Sequence, residues 1–76
     1  METESNTEKI ISQLIARRRK LGVTQHHLAE LAGLSEISVK KIETRKTNPT
    51  VNTIAKLADV LGLELNLQIK RSDGPE

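Results

Sequence analysis

Residues that stop and start helices recur along the chain: Gly22 then Thr24, Gly33 then Ser35, Asn48-Pro49 then Thr50, and finally Gly62. Glycine closes a helix because positive φ costs it little, and a Thr or Ser hydroxyl opens the next by accepting a free backbone N–H. Such close punctuation leaves room only for short helices, which gain their stability by packing on one another. With 76 residues and no cysteine, neither a disulfide nor a thiolate-held zinc can reinforce that core. Association of copies is the device left to a scaffold this short, so a homodimer is expected.

Ser5-Asn6-Thr7-Glu8 fits a capping box, which starts the first helix near residue 6 to 8 and leaves residues 1–7 as a flexible N-terminus. Ile10, Ile11, Leu14, Ile15 and Leu21 recur on it at helical spacing, and Arg17, Arg18, Arg19 and Lys20 load the last turn, opposite the negative end of the helix dipole. Gly22 ends it. Thr24 caps a second helix with Leu28, Leu31 and Ala32 on the buried side, and Gly33 terminates it. Ser35 caps a third, which carries apolar Ile37, Val39 and Ile42 and an exposed, mostly basic face. Thr50 opens a fourth from Val51 to Leu61.

Beyond Gly62 the period changes to two. Leu63, Leu65, Leu67 and Ile69 alternate with Glu64, Asn66, Gln68 and Lys70, the pattern of a strand with one buried face. Nothing else in the chain reads as a strand, so its ladder partner is expected from a second copy, in an antiparallel ribbon. The expected fold is all-α, a compact helical domain over residues 8–62 with a dimerising β-strand over 63–70 and a disordered tail over 71–76.

The net charge of +2 hides an asymmetry, because residues 8–46 hold nine basic and four acidic side chains while both flanks are net acidic. A like-signed patch concentrates polyanions. Aromatic content is 0%, which removes the stacking platforms that single-stranded nucleic acid requires and leaves the duplex as the better partner. No apolar run is long enough for a secretory leader or a bilayer span, and the absence of cysteine suits a reducing compartment, so a cytoplasmic protein with no membrane partner is expected.

Helices two and three, joined by a turn at Gly33, have the form of a helix-turn-helix over about residues 24–43. Two helices crossing steeply need a small residue at the close approach, a turn residue tolerant of positive φ and inward apolar residues. Ala29, Gly33 and Val39 meet those needs, with Leu28, Ala32, Leu34 and Ile42 around them.

From Leu14 to Leu61 the sequence resembles the Cro/C1-type (Xre) family of bacterial and phage repressors. Arg18, Gly22-Val23-Thr24-Gln25, Leu28-Ala29, Ala32-Gly33-Leu34-Ser35, Val39, Ile42-Glu43, Asn48-Pro49 and Leu57-Ala58 with Leu61-Gly62 carry the likeness. The resemblance implies a third helix that enters the major groove of double-stranded operator DNA while the second crosses the phosphate backbone, with dimers reading paired half-sites. The strand after the helices is similar to that of HipB-type antitoxins, which implies a HipA-like kinase toxin as a further partner.

The same resemblance implies roles residue by residue. Ser35, Glu36, Ile37, Ser38, Lys40 and Lys41 match base-reading positions: lysine donates to guanine, glutamate accepts from cytosine N4, and Ile37 touches a thymine methyl. Thr24, Gln25, Arg45, Lys46, Thr47 and Asn48 match phosphate-contacting positions. Arg18 and Glu43 match a structural salt bridge. Where Arg45 stands the family usually has glycine, so the turn there costs on the order of 1 kcal/mol or differs in geometry.

His26 and His27 are neighbours on one helix, point about 100° apart and cannot chelate one ion together. His26 and Glu30 are spaced as an i, i+4 pair. No cofactor or metal is expected, and no nucleophile with a positioned base suggests an enzyme. The function expected is a sequence-specific, autoregulatory DNA-binding repressor that acts as a homodimer, with antitoxin activity implied by the second resemblance. A protein-interaction module that chiefly neutralises a toxin is the alternative.

Overall fold

Four helices, α1 (Asn6–Lys20), α2 (Gln25–Ala32), α3 (Glu36–Glu43) and α4 (Val51–Val60), make up the computed structural model, which describes residues 6–67. The hydroxyls of Thr24, Ser35 and Thr50 sit in extended backbone and accept the backbone N–H of His27, Ser38 and Thr53 at 3.0, 3.0 and 3.1 Å. Each N-cap thus satisfies one of the donors a helix start leaves open.

The helix ends share one closure. Val23, Leu34, Lys46 and Leu63 each donate a backbone N–H to a carbonyl five residues back, at 2.8 to 3.0 Å, across a residue in the left-handed region. That residue is Gly22, Gly33 or Gly62 at φ 72 to 74° in three cases and Arg45 at φ 60° in the fourth. The Schellman geometry therefore forms after α3 as it does elsewhere, with a side chain where glycine is the unstrained choice.

Ile11 and Leu14 of α1, Leu28, Ala29 and Ala32 of α2, Val39 and Ile42 of α3, and Ile54, Leu57, Ala58 and Leu61 at α4 form a single buried core. Each large side chain among them contributes about 1.5–3 kcal/mol by leaving water. Ala29 is 2% exposed and Val39 1% exposed, which lets α2 and α3 approach closely over the Gly33 turn.

Several expectations need correction. Leu31 is 57% exposed, because α2 buries the arc made by Leu28, Ala29 and Ala32 and Leu31 lies about 100° from its centre. Leu21 is 46% exposed, since it falls in the turn after Lys20 and not on the helical stripe. Asn6 and Thr7, expected in the flexible segment, belong to the first turn of α1, whereas Ser5 of the capping box lies outside the described residues.

The expected strand is not formed among the described residues. Residues 63–67 carry no ladder, for no other strand lies among the described residues to bond that segment. Gln68, Ile69 and Lys70 and the tail lie outside the described residues. Leu63 packs against the core, while Leu65 and Leu67 are 40% and 101% exposed.

Candidate nucleic-acid interface

The α2–α3 unit is fixed from beneath by a buried ion pair. Arg18 Nε donates to Glu43 Oε2 at 2.7 Å and Nη2 to Oε1 at 2.9 Å, with both side chains about 10% exposed. Nη1 donates to the Val23 carbonyl at 2.8 Å, and Gln25 Nε2 donates to Glu43 Oε1 at 2.9 Å. This bidentate, fully bonded arrangement ties the end of α1, the start of α2 and the end of α3, and such satisfaction is what a buried charge requires. Gln25, expected at a phosphate, thus spends one amide hydrogen inside the protein, and an amide nitrogen carries two.

The outer side of α3 carries the residues expected to read bases. Ile37 is 65% exposed, Ser35, Lys40 and Lys41 are exposed, and Glu36 and Ser38 are half-buried. Ser35 Oγ donates to Ser38 Oγ at 2.9 Å while accepting the Ser38 amide, so both hydroxyls are oriented. Glu36 lies 3.6 Å from Lys40 and 3.2 Å from His26 Nδ1, and His26 Nε2 lies 3.5 Å from Glu30. These exposed contacts order the head of α3 and add little stability. Among the described residues no group of His, Asp or Glu is placed to hold a metal ion.

Ser38 and Lys41 meet the following loop across an open cleft of about 380 Å³, which Thr47, Asn48, Pro49 and the first turn of α4 also line. The structure therefore brings Ser38 and Lys41, expected to read bases, and Thr47 and Asn48, expected at phosphates, to one concavity. Lys46 is exposed beside it. Thr24 caps α2 with its hydroxyl. Arg45, expected at a phosphate, donates from its guanidinium to the Glu43 carbonyl at 2.7 Å and to Ser12 Oγ at 2.9 Å, toward α1.

Two side-chain hydrogen bonds carry no sequence signal. Ser12 receives Arg45 across 33 residues, and Arg17, read only as a helix-end cation, donates to the Leu61 carbonyl at 2.9 Å. Leu65 and Leu67, expected at the dimer interface with Leu63 and Ile69, line an apolar groove of about 400 Å³ with Ile10, Val51 and Ile54. Alternation marks the leucines but not the helical side of that groove. No helix among the described residues is long and apolar enough to cross a membrane.

Comparison with known proteins places this geometry. The family described as Helix-turn-helix matches residues 14–68. An HTH-type transcriptional regulator of Haemophilus influenzae is 37% identical over 65 residues, covering 84% of this chain and 66% of the relative. The HTH-type transcriptional regulator PuuR of Escherichia coli is 34% identical over 59 residues, covering 78% of this chain and 32% of the relative. The chain thus spans under two thirds of the length of both relatives. A solved structure described as a toxin-antitoxin module from Streptococcus pneumoniae superposes with a TM-score of 0.71 at 32% identity, over 86% of this chain and 71% of that one. With its Gly33 turn, its capped third helix and these relatives, the chain belongs to the helix-turn-helix family of transcriptional regulators, in the Cro/C1 (Xre) type.

Proposed function

We propose that this regulator is a sequence-specific repressor that binds duplex DNA as a homodimer, acts on its own gene and serves as the antitoxin of a HipA-like kinase toxin. The observation that carries the reading is α3 itself, whose inner side is locked by Val39, Ile42 and the Arg18–Glu43 pair while its outer side presents Ile37, Lys40 and Lys41 to solvent. In this reading α3 enters the major groove. Ser35, Glu36, Ile37, Ser38, Lys40 and Lys41 meet base edges, and Thr24, Gln25, Lys46, Thr47 and Asn48 meet phosphates. Dimerisation runs through Leu63, Leu65, Leu67 and Ile69, and it is supported by the exposure of Leu65 and Leu67 beside an apolar groove.

Footprinting of the full chain on the DNA upstream of its own gene, at several salt concentrations, tests this reading. Two protected half-sites about one or two helical turns apart, fading steeply as salt rises, are expected. No protection even at low salt would sink it. The same groove and the toxin-antitoxin neighbour favour a second reading, a module that chiefly binds a toxin, whose apolar interface would keep its affinity in salt.

A further inference from the structure

The loop after α3 is held by an arginine where the other three helix ends carry glycine. At φ 60° an L side chain is strained and glycine is not, so a glycine here would make the same turn more easily. What arginine adds is its guanidinium. Nη1 bonds the Glu43 carbonyl, one of those a helix end leaves open, and Nη2 crosses to Ser12 on α1 at 2.9 Å. Arg45, Thr47 and Asn48 also close over Thr7, Glu8 and Ile11 of α1 around a hollow of about 120 Å³. The loop thus leans on α1, and the Lys46 amide, which donates to the Lys41 carbonyl at 2.8 Å, sits immediately after the braced residue.

We infer that Arg45 is a positioning residue: it braces the loop against Ser12 so that Lys46, Thr47 and Asn48 are presented to the DNA backbone, and it makes no phosphate contact itself. This rests on the DNA-binding reading above. A guanidinium that served a phosphate directly would work best released from Ser12, whereas a brace fails once Ser12 is removed. The two roles therefore predict opposite behaviour for a variant that leaves the arginine untouched.

The test uses the full chain with Ser12→Ala, Arg45→Lys and Arg45→Gly, binding to a mixed-sequence duplex across a salt series. Arg45→Gly relieves the backbone strain, so its fold is retained and its melting temperature serves as the control. The brace predicts that Ser12→Ala and Arg45→Lys, which both keep the charge, weaken binding by about fivefold, the equivalent of one lost hydrogen bond, with the salt slope unchanged. Amide exchange at Lys46 is expected to accelerate equally in both, and no further in the double variant. Unchanged or tighter binding by Ser12→Ala, together with a salt slope reduced by about one in Arg45→Gly, would make Arg45 a phosphate ligand and overturn the inference. If the unmodified chain binds no duplex at any salt, the DNA reading fails, and Lys46 exchange then decides the brace alone, with unaltered exchange in both variants overturning it.

Discussion

Arg18 and Glu43 each depend on the other for the right to be buried. Arg18→Met leaves the Glu43 carboxylate largely out of water with Gln25 as its one remaining donor among the described residues, and a loss of about 3 kcal/mol is expected. Urea unfolding followed by far-UV circular dichroism measures it, because a chain without aromatics has no intrinsic fluorescence to report. Adding Glu43→Leu is expected to recover part of the loss, and strictly additive single effects would show that the pair is not coupled. This contact is legible in the sequence through family likeness, since helical spacing says which side of a helix a residue occupies but not what it meets. Ser12 and Arg45 show the limit. They meet across 33 residues, and nothing in the pattern around Ser12 distinguishes it from any polar residue on α1. Leu31 fails for another reason: an eight-residue helix has too few turns for its apolar residues to define the centre of the buried arc.

At the scale of the element, the boundaries are the most readable part of the molecule because caps and terminators are local chemistry. The Thr24, Ser35 and Thr50 hydroxyls each accept the N–H three residues on, so alanine at any of them is expected to cost about 1 kcal/mol in thermal or chemical unfolding. Gly33 permits a cleaner experiment. A methyl group there would touch nothing within 4 Å, so the cost of Gly33→Ala, about 1 kcal/mol, comes from φ 73° alone. A chemically synthesised chain with D-alanine at that position is expected to be at least as stable as the glycine form; an equal loss with both enantiomers would refute the backbone explanation. The segment after Gly62 marks where local reading ends. Alternation in Leu63, Leu65 and Leu67 specifies a side, but a strand exists only with a neighbour, and the described residues supply none.

Among the described residues Leu65 and Leu67 stand beside Ile10, Val51 and Ile54 around an apolar groove, where Val51, Leu65 and Leu67 are exposed. If a second copy covers it, the native chain has twice its formula mass by light scattering and Leu65→Asp reduces it to the monomer with its helices intact. A dimer mass unshifted by that substitution would move the interface elsewhere. Successive helices are joined by the short segments 21–24, 33–35 and 44–50, and the Arg18–Glu43, Arg45–Ser12 and Arg17–Leu61 hydrogen bonds then tie parts distant in sequence. Short loops close at little entropic cost, and helical domains of this kind fold in microseconds to milliseconds. If the chain acts on its own gene as a homodimer, as proposed above, each copy is folded almost as soon as it leaves the ribosome. The delay in its feedback would then be set by synthesis and by the concentration-dependent meeting of two copies, with folding too quick to contribute.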